Sequence, residues 1–244
     1  MKSGMRTDVL GVGFDDVTME EAVGRALELL NGSRPAYVVT PNPEIVWMCR
    51  DDPGLKDILS QAALVLPDGI GIVYGSKILG RALKGTVGGT DFAEKLVEKL
   101  SESGKSIYLL GGKPGVAEAA AANIKEKYRG IIIAGTADGY FKDDGPIIAR
   151  INAARPDFLM VCLGAPKQER WMATNKDILN IGIMAGLGGS LDVFAGTATR
   201  APLSWQKRHL EWLYRLIKQP RRITRMIKLP LYLFTVIGQR IKGQ

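Results

Sequence analysis

The sequence predicts an α/β protein in which a mostly parallel sheet is covered by helices on both faces, followed by a short helical appendage at the C-terminus. Three observations carry that prediction. Apolar runs of strand length alternate with helical segments along most of the 244 residues, the order that puts a crossover helix between parallel strands. Several of those runs end in polar turns rich in glycine or proline. Near residue 197 the pattern gives way to basic, amphipathic segments. With 46% hydrophobic and 24% charged residues the composition is globular. The length suits one domain over 1–196 and an appendage over 197–244.

Taken in order, Val9–Phe14 reads as the first strand. Thr18-Met19-Glu20-Glu21 is a capping box, opening a helix that runs to about Leu30 and stops at Asn31-Gly32. Strand Tyr37–Val39 empties into Thr40-Pro41-Asn42-Pro43-Glu44, and helices follow near 44–50 and 55–60. Strand Ala62–Leu66 ends in Pro67-Asp68-Gly69 before a helix over 70–79. Residues 80–90 form a glycine-rich basic loop, and Thr90 or Asp91 is the expected cap of a helix ending near Ser101. Strand Ser106–Leu110 runs into Gly111-Gly112-Lys113-Pro114-Gly115 and an alanine-rich helix, an order that can set a phosphate on a helix N-terminus. Strand Ile131–Ala134, the turn Asp138-Gly139-Tyr140-Phe141 and a helix over 145–154 come next. Strand 158–163 leads to Gly164-Ala165-Pro166-Lys167-Gln168-Glu169, with a helix from about Pro166. Asn180–Met184 is the last strand and opens into Gly186-Leu187-Gly188-Gly189. Such a chain is Rossmann-like, although the pattern does not fix its strand order.

Ligands of open parallel sheets sit outside the carboxyl ends of the strands. Asp68 stands at such an end, and Gly69 and Gly71 beside it leave room for a close approach. A single carboxylate there suits a general base; the competing reading is a turn former or helix cap. The Thr40–Glu44 and Gly164–Glu169 turns follow two other strands. All three turns are expected on one edge of the sheet.

Charge is unevenly distributed. Residues 200–244 carry 11 Lys and Arg against one acid, Glu211, a net of +10, while the rest of the chain nets −2. Such a tail implies a polyanionic partner. Trp205, Trp212, Leu213 and Leu216 are expected on one helical face, interleaved with Lys207, Arg208, Arg215 and Lys218. Leu231–Ile237 is an apolar run after Pro230, too short for the ~20 residues of a membrane span. Tryptophan, leucine and cations on short helices match segments that lie in a membrane interface. An anionic membrane surface is therefore the expected partner; a solvated helical subdomain packed on the core is the alternative. Nucleic acid is not expected, because the tail is more apolar than a phosphate-tracking arm needs. Self-association through the tail's apolar face is a further use of the same surface.

The two cysteines, Cys49 and Cys162, lie in apolar contexts without metal-ligand spacing, so both read as buried thiols of a cytosolic protein. Met1–Asp8 lacks an apolar core, so no secretory signal is read there. His209 in the tail is the only histidine, which argues against a Ser-His-Asp triad or a histidine metal site. No Asp-x-Asp occurs, and the adjacent acids at 15–16, 51–52 and 143–144 read as helix starts or loops. A metal-bound nucleotide diphosphate thus lacks its usual carboxylates, and a departing diphosphate would need arginine, lysine or helix N-termini.

Val39-Thr40-Pro41-Asn42-Pro43-Glu44, Pro67-Asp68-Gly69, Leu110-Gly111-Gly112, Gly164–Glu169 and Gly186–Gly189, together with the basic tryptophan-bearing tail, resemble the WecG/TagA/CpsF family of bacterial glycosyltransferases over nearly the whole chain. The ordered set is closest to the TagA branch. The resemblance implies inverting, metal-independent transfer of N-acetylmannosamine from UDP to undecaprenyl-diphosphate-linked N-acetylglucosamine, forming the β-1,4 disaccharide lipid of wall teichoic acid synthesis. No cofactor is implied; the UDP-sugar is a substrate. It further implies Asp68 as base, Thr40 and Asn42 beside it on sugar or phosphate, and Gln168 in the pocket. By the same resemblance Tyr140 and Asp192 meet the uridine, while Arg215, Arg222 and Arg225 of the appendage neutralise diphosphate charge. Gly111 and Gly112 belong to the expected binding edge. The implied location is the cytoplasmic face of the membrane, held peripherally. Three alternatives remain at this point: transfer from a UDP-N-acetylmannosaminuronic acid donor, an NAD(P) oxidoreductase using the Gly111-Gly112 turn, and a non-enzymatic membrane adaptor. Against the oxidoreductase, no clear acid ends a second strand at the distance a ribose requires.

Overall fold

Strands buried on both faces read as unbroken apolar runs, and here those runs are the centre of the sheet. The structure is a computed structural model; it describes residues 6–32, 35–208, 210–218 and 228–242. Among these, a hairpin of β1 (Thr7–Val9) and β2 (Val12–Phe14) precedes a parallel six-stranded sheet. The sheet's strands are β3 (Ala36–Val39), β4 (Leu64–Val65), β5 (Ser106–Gly111), β6 (Ile132–Ala137), β7 (Phe158–Cys162) and β8 (Ile183–Gly186). Their spatial order is β4-β3-β8-β7-β5-β6. Every residue of β7 and β8 is buried.

Side-chain alternation splits the core into two layers. Val38, Ile107, Leu109, Phe158, Met160, Ile183 and Ala185 face one layer. Helices α1 (Met19–Leu30), α5 (Gly89–Glu102), α6 (Val116–Lys127) and α9 (Ser190–Phe194) cover it. Tyr37, Val39, Tyr108, Leu110, Leu159, Val161 and Met184 face the other. That layer is covered by α2 (Pro43–Met48), α3 (Pro53–Gln61), α4 (Ile70–Ile78), α7 (Gly145–Ala154) and α8 (Lys167–Asn175). The connections leaving β3 and β7 therefore go to one face, and the connection leaving β8 between them goes to the other. Chain directions diverge there, which opens a crevice at the carboxyl edge.

The expected elements are present, with differences at specific places. The capping box forms as read: Glu21 N–H donates to Thr18 Oγ1 at 3.2 Å and Thr18 N–H to Glu21 Oε2 at 2.8 Å. The expected single strand Val9–Phe14 is instead the turn and second arm of the hairpin, because Leu10 and Gly11 both take positive φ, 56° and 82°. Asp15 ties this hairpin to the sheet. Its carboxylate accepts from Arg6 Nε and Arg25 Nη1, each at 3.1 Å, and from Val65 N–H at 2.8 Å. The long helix expected to start from a Thr90 or Asp91 cap starts earlier, from Gly88, which has no capping side chain. The last strand lies three residues later than expected at its start, at Ile183, and β6 extends to Ala137.

The C-terminal segment contains α10 (Leu203–Lys207), α11 (Glu211–Lys218) and α12 (Lys228–Lys242). The single face expected from Trp205 to Leu216 is divided over α10 and α11, and Trp205 packs edge-to-face on Tyr214 with centroids 5.8 Å apart. The apolar run after Pro230 is part of α12, with Pro230 in its first turn, where a missing N–H costs nothing. Tyr232 and Val236 of α12 are fully buried against the layer formed by α2 and α4. Tyr232 O–H donates to Gly71 O at 3.3 Å, and a Cβ on Gly75 would lie 2.3 Å from the same hydroxyl. Gly75 thus leaves the space this ring fills, and Gly71 contributes its carbonyl, a Cβ there meeting Pro43 instead. No helix among the described residues is long and apolar enough to cross a membrane.

Candidate active site

Asp68 lies just beyond β4, and backbone bonds from two other turns hold its loop. Asp68 N–H donates to Pro41 O at 3.2 Å, and Val87 N–H donates to Pro67 O at 2.8 Å. Gly69 has φ +83°, a conformation that favours glycine, and it caps α4 without offering a side chain. The half-buried carboxylate of Asp68 faces the Gly88-Gly89 start of α5. A Cβ on Gly88 would stand 3.7 Å from Asp68 Oδ1 and 3.4 Å from Asp91 Oδ2, so two carboxylates border one small volume. Asp91 is balanced by Arg200, with Nη1 at 2.7 Å from Oδ1. Arg200 Nη2 also donates to Gln206 Oε1 of α10 at 3.2 Å. The first residues of the appendage are thereby tied to the helix start beside Asp68.

The neighbouring turns are braced against one another. Thr40, 6% exposed, donates its hydroxyl to Gly186 O at 3.0 Å. Gln168, 2% exposed, accepts from Gly188 N–H through Oε1 at 2.9 Å. The turn after β8 is therefore gripped from β3 on one side and from α8 on the other. Asn42 is the N-cap of α2, with Oδ1 accepting from Ile45 N–H at 3.0 Å. The hydroxyls of Thr90 and Ser190 lie 3.0 Å apart, joining the starts of α5 and α9.

Gly111, at φ +130°, ends β5 where a Cβ would fall 2.2 Å from Cys162 O, so the strand pair admits only glycine. Gly112 N–H donates to that same carbonyl at 3.2 Å, and Gly139 N–H donates to Gly112 O at 2.9 Å. Tyr140 follows β6 and is 70% exposed. Asp192 on α9 is half-buried, and its Oδ1 accepts from Thr197 Oγ1 at 3.3 Å. Asp68 and Tyr140 belong to opposite edges of the sheet, about 24 Å apart at five strand spacings.

The structure thus lines up the expected residues along one edge in the order Asp68, Thr40 with Asn42, Gly186–Gly189, Gln168, Gly111 with Gly112, and Tyr140. It gives Thr40, Asn42 and Gln168 bonds within the protein as well. Arg215 lies in α11 but its side chain is outside the described part, and Arg222, Arg225 and His209 are outside the described residues. Sequence reasoning passed over four residues near this edge. Gly88 and Gly89 read as generic loop glycines. Arg200 is one cation among many. Glu169 sits in a charged run that reads as solvated, yet it is 1% exposed.

Burial holds Glu169's carboxyl above the usual carboxylate range, with Gln168 Nε2 donating to its Oε1 at 2.9 Å. Burial also pushes the thiols of Cys49 and Cys162 up to about 12, so both stay protonated and unreactive. Among the described residues, no three of His, Cys, Asp or Glu come together as ligands for a metal ion.

The profile of the glycosyl transferase WecG/TagA/CpsF family matches residues 7–244. Similar proteins include one from Bacillus spizizenii, 37% identical over 85% of this chain and 81% of its own length. Another from Bacillus subtilis strain 168 is 38% identical over 84% and 80%. A third from Staphylococcus aureus strain MW2 is 31% identical over 97% and 94%. All three are named N-acetylglucosaminyldiphosphoundecaprenol N-acetyl-beta-D-mannosaminyltransferase. With the match spanning the hairpin, the six-stranded sheet and the C-terminal helices, the chain belongs to the WecG/TagA/CpsF family of glycosyltransferases.

Proposed function

We propose that this glycosyltransferase moves N-acetylmannosamine from UDP to the 4-hydroxyl of N-acetylglucosamine carried on undecaprenyl diphosphate, as in building the linkage unit of wall teichoic acid. The observation that carries the reading is the placement of Asp68 at a strand end, open through Gly69 and Gly88 and flanked by the Thr40–Asn42 turn. The names of the similar proteins supply the acceptor and the sugar transferred, and the UDP carrier is part of the proposal.

The chemistry is a single displacement. The acceptor O4 attacks C1 of the donor sugar, the C1–O bond to UDP breaks, and its electron pair leaves with the diphosphate. The O4 proton passes to the Asp68 carboxylate. One base suffices because attack and departure lie on opposite faces of C1, so the α-linked donor yields a β product. A positioned base of this kind is worth about 10²–10⁴ in rate. The turns that follow β8, β7 and β5 lie between Asp68 and Tyr140, which suits a donor lying along the edge with uridine toward Tyr140 and Asp192. Arg215, Arg222 and Arg225 offset the departing charge in place of a metal.

The acceptor is a membrane lipid, so the enzyme must work at a bilayer. Leu231, Phe234, Ile237 and Ile241 point outward from α12, opposite the buried Tyr232 and Val236, with Arg240 and Lys242 alongside. This pattern supports peripheral attachment to the cytoplasmic leaflet. Membership of a glycosyltransferase family leaves the oxidoreductase and adaptor readings without support. The test is UDP release in EDTA from UDP-N-acetylmannosamine and a lipid-diphosphate N-acetylglucosamine in vesicles, with the product's anomeric configuration read by NMR. A β product formed in EDTA is expected. Release only from UDP-N-acetylmannosaminuronic acid would change the donor, and an α product or a strict metal requirement would refute the mechanism.

A further inference from the structure

Glu169, the last residue of the Gly164–Glu169 turn, has a burial that the proposed chemistry leaves unexplained. It is 1% exposed, no cation among the described residues pairs with it, and its Oε2 has no hydrogen-bond partner. An apolar side chain of similar size would fill this site with less cost, since a buried polar group without full partners destabilises the fold. Its Oε1, however, makes one specific contact, accepting from Gln168 Nε2 at 2.9 Å. That contact decides which way round the Gln168 amide sits. The other end of the amide, Oε1, accepts from Gly188 N–H at 2.9 Å. A flipped amide would set its NH₂ group against the Gly188 N–H, donor against donor. The space permits no evasion: a Cβ on Gly186 would be 3.1 Å from Gln168 Nε2 and 2.7 Å from Met172 Cε.

We infer that Glu169 is a positioning residue for donor binding: its carboxyl group locks the Gln168 amide so that the amide oxygen grips Gly188 N–H and fixes the Gly186–Gly189 turn. Thr40 fixes the same turn from the other side through Gly186 O. The claim rests on the reading that the nucleotide-sugar donor lies along this turn, and it adds which residue sets the turn's shape. Glu169 touches no substrate in this account. It acts through Gln168, and the turn acts on the donor. A neutral carboxyl serves as well as an anion, because the contact needs only an acceptor oxygen.

Two substitutions separate this role from simple packing. Glu169→Leu keeps the volume and removes the acceptor; Glu169→Gln keeps an acceptor oxygen and no charge. For E169L the expected result is an increase of about tenfold in KM for the UDP-sugar, the factor one lost hydrogen bond supplies. KM for the lipid acceptor should stay within about twofold and the melting temperature should not fall. E169Q should restore the donor KM. In ¹⁵N spectra the Gly188 amide should shift in E169L and return in E169Q. Unchanged donor KM in E169L, or equal damage in E169Q and E169L, overturns the inference. If wild type neither binds UDP nor releases it, the donor reading fails; the Gly188 amide signal then judges the clamp alone, and an unmoved signal in E169L refutes it.

Discussion

Along the carboxyl edge of the sheet each turn is held by another turn, whereas the described part of the last helix, α12, is seated on one face and exposed on the other. Thr40 bonds Gly186, Gln168 bonds Gly188, Asp68 bonds Pro41 and Thr90 meets Ser190. The edge is thus organised before any substrate arrives, which is what positioning a nucleophile requires. In α12, Tyr232 and Val236 anchor one face while Phe234 and Ile241 stand about seven-tenths exposed on the other. Exposed apolar side chains beside cations gain free energy on meeting an apolar, anionic surface. One region is finished by folding; on the proposed reading, the other is finished by a membrane surface. Arg200, bonded to Asp91 on α5 and to Gln206 on α10, is where the two regions touch near the candidate base.

That contrast can be broken by experiment. If the tail supplies charge to the reaction, Arg222→Ala with Arg225→Ala should lower kcat on the lipid acceptor by about 10²–10³ without moving the melting temperature; unchanged kcat would reduce the tail to an anchor. Tyr232→Ala should cost about 3–5 kcal/mol of stability, the usual loss for a buried aromatic ring, seen as a lower melting temperature. A stable variant would mean that α12 is not seated on Gly71 and Gly75. Thr40→Val leaves Gly186 O without its donor and should cost about 1–3 kcal/mol, split between stability and the donor KM. Phe234→Ser with Ile241→Ser should leave stability within about 0.5 kcal/mol but weaken sedimentation with anionic vesicles several-fold. Unaltered vesicle binding would assign the exposed face another use.

The sheet was legible because apolar runs such as Phe158–Cys162 end in glycine turns, and the two core layers follow from alternation along each strand. The hairpin was not, because its turn is Leu10-Gly11 and leucine seldom takes positive φ. The start of α5 was missed for a related reason: Gly88 caps without a side chain to announce it. Asp68, Thr40 and Asn42 could be singled out because each stands at a strand end, but their adjacency depends on β3 and β4 being neighbours, and strand order is set by packing among distant segments. Glu169 could not be found from spacing, since nothing in Lys167-Gln168-Glu169-Arg170 distinguishes a buried acid from a solvated one. The seat of Tyr232 did leave a trace, in Gly75 on α4, where any Cβ would collide with the Tyr232 hydroxyl.

In the proposed reaction the carboxylate at the end of β4 takes the acceptor proton. Single-turnover transfer by Asp68→Asn, measured beside UDP-sugar affinity, tests it most directly. Affinity should stay within a few-fold of wild type while the transfer rate falls by about 10²–10⁴. Transfer within tenfold of wild type would contradict it and leave Asp68 as the turn before α4.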